Sequence, residues 1–325
     1  MSQSANNLRH FIDLRDFTLA EIEDILRLAT EFKANPWQNH LKRKHVALIF
    51  EKDSTRTRMS FEVGVNQLGG DSLVIDGSTS HIGGKENLYD SAKVMSRFID
   101  MIMIRANSHD SVVGLAQHSE VPVLNGLTDY NHPCQVLTDI FTYIEHRGPI
   151  QGKKIAWIGD ANNMANTFVH AAFLFGFHLA IATPLEYQLV GTVQRWAAKQ
   201  KEAGKPGSIV QYLDPESGLA EAVRDADLVL TDTWISMGDT DYELRKAVFS
   251  PYYTVDAALM KQAKPDALFM HCLPASRGQE VTDEVMDGPQ SVIFDEAENR
   301  LHVQKAIMTW LLQFGLAARN TDNGG

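Results

Sequence analysis

The chain has 325 residues, 44% hydrophobic and 22% charged, a composition that excludes extensive disorder and, at about 150 residues per domain, points to two domains. Asp and Glu total 41 against 30 Lys and Arg, and a net charge of −11 argues against a general binder of nucleic acid or anionic membrane, so an anion needs a local cluster of donors. Two cysteines, Cys134 and Cys272, exclude a disulfide framework and fit a reducing compartment; the opening residues lack a leader pattern and no apolar run approaches about 18 residues, so a cytoplasmic protein without a membrane span is expected.

In chain order, Thr18 and Glu21 form a capping box ahead of apolar residues at helical spacing, which predicts a helix over 18–33. Short apolar runs then alternate with helical patterns. Strands are expected at 46–50, 72–75, 101–104 and 121–124, with helices near 54–68, 88–98, 111–118 and 132–146. The segment Arg147–Gly152 breaks the rhythm and is the expected domain boundary. Beyond it, strands are expected at 155–158, 178–182, 209–212, 228–231, 267–270 and 292–294. Helices are expected at 164–175, 186–199 and 218–223, and a long one at about 297–316. Repeated strand–helix units give the fold class: α/β, with two parallel-sheet lobes covered by helices. Ligands of such sheets bind at the carboxyl ends of strands, so the residues after each strand carry the functional argument.

Behind the first strand, Ser54-Thr55-Arg56-Thr57-Arg58 opens a helix. Unpaired N–H groups, the dipole end, hydroxyls and a bidentate Arg suit a phosphate. Residues two apart on a helix point about 200° apart, so Arg56 is assigned to the anion and Arg58 to a supporting ion pair. Arg105, directly after a strand, is a second anion or carbonyl contact or else a surface ion pair. In Asn131-His132-Pro133-Cys134-Gln135, His132 and Gln135 share one helix face; they polarise a carbonyl or form an ordinary cap. Gly159 stands where a dinucleotide fold would carry G-x-G-x-x-G, but the other glycines are missing, so a nicotinamide cofactor is disfavoured. Asp232 ends a strand, as an ammonium contact or a cap, and Gly238 opens a stretch to Tyr253 that reads as a mobile loop. His271 and Cys272 are adjacent on a strand and so point to opposite faces, which argues against a nucleophile–base pair. The twelve histidines show no metal-ligand spacing.

Together these segments resemble the ornithine carbamoyltransferases, over about Arg9 to Ala317. Ser54–Arg58 and His132-Pro133-x-Gln135 look like the carbamoyl-phosphate motifs of all transcarbamylases. Asp232-x-x-x-Ser236-Met237-Gly238 and His271-Cys272-Leu273-Pro274 are similar to the ornithine-specific motifs. The resemblance implies that Ser54, Thr55, Arg56 and Thr57 bind phosphate, and that Arg105, His132 and Gln135 hold and polarise the carbamoyl carbonyl. It implies that His81, in the Ser80–Gly83 loop, reaches a neighbouring subunit's phosphate and that Arg300 returns to the carbamoyl phosphate. It further implies that Asn166, Asp232, Ser236 and Met237 bind the amino-acid end of ornithine, while Cys272 and Leu273 contact carbamoyl phosphate and the side-chain amine. Arg105, His132, Gln135, Asp232 and Cys272 form the implied catalytic set.

The implied domains are 1–148, with the C-terminal helix (about 303–325) crossing back to it, for carbamoyl phosphate, and 149–302 for ornithine. The implied reaction gives L-citrulline and phosphate, a step of arginine biosynthesis, in a homotrimer without metal or cofactor. The rival expectations are a transcarbamylase for putrescine or N-acylated ornithine, and an inactive carbamoyl-phosphate-binding homologue.

Overall fold

The computed structural model describes residues 8–77, 87–235 and 240–314. By its internal contacts the chain forms two compact units, Met1–Cys134 with Asn299–Gly325, and Gln135–Glu298.

The first unit holds a 3-10 turn (Leu14–Asp16), α1 (Leu19–Ala34), β1 (His45–Phe50), α2 (Thr55–Gln67), β2 (Asp71–Asp76), α3 (Leu88–Met95), β3 (Met101–Arg105), α4 (His109–His118) and β4 (Val123–Leu127). The strands form one parallel sheet in the order β2-β1-β3-β4. α1 begins as expected: Thr18 Oγ1 accepts from the Glu21 N–H at 3.3 Å, and Glu21 Oε2 accepts from the Thr18 N–H at 2.8 Å. Its buried face is Ile22, Ile25, Leu26, Ala29 and Phe32. β1 and β3 are buried along nearly their whole length, which is why they read as continuous apolar runs.

β4 starts two residues later than the apolar run at 121–124 implies and takes in Asn125 and Gly126. The cause is a partner from the amino-terminal segment. Phe11 N–H donates to Val123 O and Asn125 N–H to Phe11 O, both at 2.9 Å, while Asn125 Nδ2 donates to Ile12 O at 3.0 Å.

α5 (Pro133–Arg147) leads into the second unit. There follow β5 (Lys154–Ile158), α6 (Asn163–Phe175), β6 (His178–Ala182), α7 (Gly191–Glu202), β7 (Ser208–Tyr212), α8 (Ser217–Val223) and β8 (Leu228–Thr231). Then come α9 (Tyr242–Phe249), α10 (Ala257–Met260), β9 (Leu268–His271), α11 (Asp283–Met286) and α12 (Ile293–Phe314). The second sheet is also parallel, in the order β7-β6-β5-β8-β9.

Three expectations are corrected here. The helix expected from Glu186 starts at Gly191, after a 3-10 turn at Leu185–Tyr187. Leu189 between them is tied to side chains, its N–H to Gln211 Oε1 at 3.0 Å and its O to Gln194 Nε2 at 2.6 Å. Val292–Phe294 is no strand: Ser291 makes one bridge to Phe269 and α12 begins at Ile293. Asp295 and Glu296 in its first turn suit the helix dipole. The described part of the stretch read as a mobile loop is α9, pinned by Arg245, which donates to Asp160 Oδ2 at 2.8 Å, Asp241 Oδ1 at 3.0 Å and Trp234 O at 2.9 Å.

From Asn299 onward α12 belongs to the first unit, as the resemblance implies for the last helix. Lys33 Nζ donates to Asn299 Oδ1 at 2.7 Å, and the buried Lys305 Nζ to Pro36 O at 2.7 Å and Gln67 Oε1 at 2.8 Å. Gly64 permits the approach of α2 to this helix, since a Cβ there would lie 3.2 Å from Lys305 Cγ. Among the described residues no helix is long and apolar enough to cross a membrane.

Each sheet reverses direction once. In the first, the chain winds from β1 to β2 and then to β3 on the other side; in the second, from β5 out to β7 and back to β8. The crevices at the carboxyl ends of β1/β3 and β5/β8 are the expected ligand sites.

Candidate active site

The first cluster sits at the β1/β3 switch. Ser54 caps α2: its Oγ accepts from the Thr57 N–H at 3.3 Å and its hydroxyl donates to Thr57 Oγ1 at 2.7 Å. Arg105, the last residue of β3, shares one Nη1 between Ser54 Oγ at 3.1 Å and Thr57 Oγ1 at 3.3 Å. Arg300 of α12 donates to Thr57 Oγ1 at 2.6 Å. Two guanidiniums thus converge on one pair of hydroxyls at a helix N-terminus. Thr57 and Arg300 are buried, whereas Thr55 and Arg56 are exposed beside them on the first turn. Arg58 makes its ion pair with Glu62 at 3.1 Å, away from the cluster.

His132 precedes α5 and is buried at 4% exposure. Burial, and then the charges of Arg300 and Arg105, hold its ring well below the usual imidazole range. It is therefore neutral near pH 7 and carries one N–H. Cys134 is packing: its thiol donates to Asn125 O at 3.3 Å, and burial pushes it up to about 12.

The second cluster sits at the β5/β8 switch. Gly159 follows β5 with φ +117°, a conformation that favours glycine, and turns the chain towards α6. Asn162 caps α6 through Oδ1, which accepts from the Met164 N–H at 2.9 Å, and its Nδ2 donates to Asp232 Oδ2 at 2.9 Å. Asp232 Oδ1 accepts from the Thr233 N–H at 2.8 Å and from Cys272 Sγ at 3.2 Å. Burial, then Asp232, Glu296 and Asp139, push the Cys272 thiol well above its usual range, so it is uncharged. His271 Nδ1 accepts from the Leu273 N–H at 2.9 Å and its Nε2 faces Glu280 Oε1 at 3.3 Å. Both ring nitrogens of His271 are thus engaged, which argues against its acting as a base for Cys272. The same hydrogen bonds occupy the donor atoms of Asp232, His271 and Cys272, which lie within 4.8 Å of one another. Leu273 has φ +59° and makes the turn that ends the segment. Asn166 lies buried on α6.

Gln135, in the first turn of α5, donates from Nε2 to Asp139 Oδ1 at 2.8 Å and to Glu296 Oε1 at 2.9 Å. Its Oε1 is buried and has no partner among the described residues. His81, Ser236 and Met237 lie outside the described residues. Asn162, Asp139 and Glu296 were missed from sequence as members of these clusters. Asp139 had a usable signal, standing four residues after Gln135 on one helix; Glu296 had none.

Two family models match nearly the whole chain. The carbamoyl-phosphate-binding domain of aspartate/ornithine carbamoyltransferase matches residues 9–145, and the aspartate/ornithine-binding domain matches 151–311. The chain belongs to the aspartate/ornithine carbamoyltransferase family, and is thus of a class of transferases. Within that family its similarity is to the ornithine enzymes. It is 51% identical over 315 residues to the ornithine carbamoyltransferase of Rhodopseudomonas palustris (strain BisA53), covering 94% of this chain and 98% of that one. The crystal structure of ornithine carbamoyltransferase from Burkholderia thailandensis E264 superposes with a TM-score of 0.83 at 45% identity, over 94% of this chain and 99% of that one. The enzyme from Pyrococcus furiosus gives 0.87 at 40%, over 96% and 99%.

Proposed function

We propose that this protein transfers the carbamoyl group of carbamoyl phosphate to the side-chain amine of L-ornithine, releasing L-citrulline and phosphate, and that it serves arginine biosynthesis in the cytoplasm. The observation that carries the reading is the gathering of Arg105 and Arg300 on the Ser54–Thr57 hydroxyl pair at the N-terminus of α2.

In this reading the first domain takes carbamoyl phosphate and the second takes ornithine. Ser54, Thr55, Arg56 and Thr57 bind the phosphate oxygens and stabilise the departing dianion. His81 reaches the phosphate of a neighbouring subunit. Arg105, Arg300 and the neutral N–H of His132 face the carbamoyl oxygen, where negative charge grows as the tetrahedral intermediate forms. Gln135, its N–H groups engaged within the protein, accepts through Oε1 from the carbamoyl amino group.

Asp232 pairs with the α-ammonium of ornithine, helped by Asn166, Ser236 and Met237. The attacking amine must be neutral. Its pKa is about 10.4, so about one molecule in a thousand is neutral near pH 7.4, at a cost of about 4 kcal/mol. An uncharged Cys272 thiol and Leu273 beside the amine favour the neutral form by desolvation. The leaving phosphate accepts the proton, so no protein base is required. A rate that rises with pH between 6 and 9 at saturating substrates is expected, and a flat profile removes this account.

A homotrimer is supported by exposed apolar side chains in the first unit: Met59 and Val63 on α2, Leu73 on the edge strand β2, Tyr89 and Val94 on α3, and Phe98, which is 75% exposed. Light scattering would give three times the chain mass. The decisive experiment is citrulline formation from carbamoyl phosphate and L-ornithine, with putrescine, N-acetylornithine and aspartate in parallel. Turnover with ornithine is expected; turnover only with another amine overturns the assignment of Asp232.

A further inference from the structure

Three side chains inside the second unit close a ring of hydrogen bonds. Gln135 and Asp139 stand one turn apart on α5 and so share a face. Glu296 comes from the first turn of α12, 161 residues after Gln135. Each of the three is 1% exposed. Gln135 Nε2 gives one hydrogen to Asp139 Oδ1 at 2.8 Å and the other to Glu296 Oε1 at 2.9 Å. Glu296 Oε2 accepts from the His271 N–H at 3.0 Å, so the same carboxyl also holds the strand end that bears Cys272.

The amide can stand only one way round. Turned over, Oε1 would face the negative charge that the carboxyl pair retains in a buried site, a repulsive arrangement. Two carboxyls in contact do not both ionise when buried. Burial, then the charge of Asp139 and a hydrogen bond to it, raise Glu296 well above the usual carboxylate range, with Asp232 adding to the push. The pair therefore carries one proton and one negative charge, and both N–H groups of Gln135 point at it. What remains is Oε1, buried without a partner among the described residues.

We propose that Asp139 and Glu296 are positioning residues that pin the Gln135 amide by both N–H groups, so that Oε1 selects a phosphate ester whose transferred group bears an N–H: carbamoyl phosphate over acetyl phosphate. This rests on the carbamoyl-transfer reading above. Acetyl phosphate is the near-isostere in which a methyl replaces the amino group. It places no donor against Oε1 and leaves that buried acceptor unsatisfied, whereas carbamoyl phosphate satisfies it. Neither Asp139 nor Glu296 is asked to touch substrate.

The test compares the wild-type protein with Asp139→Ala, Asp139→Asn and Glu296→Gln. It measures kcat and KM for carbamoyl phosphate with ornithine, and inhibition constants for acetyl phosphate and inorganic phosphate. Asp139→Ala should raise the carbamoyl phosphate KM by about tenfold or more while both inhibition constants stay within about twofold. Asp139→Asn should recover most of the loss, because Oδ1 still accepts from Gln135 while Nδ2 donates to an ionised Glu296. An unchanged KM, or equal weakening of all three ligands, overturns the proposal. Should Asp139→Ala fail to fold, infrared spectroscopy of the wild-type protein decides. The C=O stretch of a neutral carboxylic acid should vanish in Glu296→Gln and shift on binding carbamoyl phosphate but not acetyl phosphate; no such band, or the same shift with both, overturns it. Failure of the wild-type protein to make citrulline sinks the functional reading. Wild-type turnover with unaltered selectivity in the variants sinks only the positioning role.

Discussion

The two clusters occupy the same topological place and carry opposite charge. At the β1/β3 switch, hydroxyls of Ser54 and Thr57 hold Arg105 and Arg300, a basic site at a helix N-terminus. At the β5/β8 switch, Asn162 and an uncharged Cys272 hold Asp232, an acidic site. Strand order places a crevice at the sheet end, and the residues at or shortly after each strand end decide what it attracts. In both, neutral side chains hydrogen-bond the charged groups: Ser54 and Thr57 to the guanidiniums, Asn162 and Cys272 to the carboxylate.

The contrast can be broken in several ways. The largest effect is expected at Arg105→Ala, which in the proposed reading removes a guanidinium from the developing oxyanion. It should lower kcat by about a hundred- to a thousandfold in the citrulline assay with the ornithine KM little changed. A comparable loss of ornithine affinity would mean that the two clusters do not act separately.

Stability should also distinguish the two units. Burial pulls His10 of the first unit down to about 4, and its Nδ1 accepts from the Val123 N–H at 3.0 Å, which requires the neutral ring. The unfolded ring titrates near 6.5, so between these values the unfolded chain binds more protons. The contribution is full above pH 6.5 and is lost as the pH falls towards 4. At about 1.36 kcal/mol per pH unit it amounts to roughly 3 kcal/mol. Thermal melts across this range should show a weaker acid dependence in His10→Gln than in the wild-type protein.

Asp232→Asn should raise the ornithine KM by about tenfold or more and leave the carbamoyl phosphate KM within about twofold, read from initial rates. The smallest effect is expected at Arg58→Ala. Its ion pair with Glu62 is exposed, so melting should shift by no more than about 1 kcal/mol and turnover should hold. A large loss of activity there would place Arg58 rather than Arg56 on the anion.

Much of the frame was legible because it is local. The Thr18–Glu21 capping box marks α1, and buried parallel strands such as Val46–Phe50 and Leu228–Thr231 declare themselves as short apolar runs. The errors fall where distant partners override local pattern. β4 is shifted by its pairing with Phe11, and α7 is delayed by the ties of Leu189 to Gln211 and Gln194. The run at Val292–Phe294 is too short for periodicity to separate strand from helix.

For the clusters, the sequence by itself determined the chemistry: hydroxyl and guanidinium after β1, guanidinium at the end of β3, carboxylate after β8, thiol after β9. Strand ends are local features, and residue type follows directly from them. Only the tertiary structure decided the partners. That Arg300 returns to Thr57 across 243 positions, or that Glu296 meets Gln135 across 161, is not encoded in any window of the chain. Such contacts depend on how α12 packs, and helix packing is a property of buried surfaces rather than of neighbouring residues.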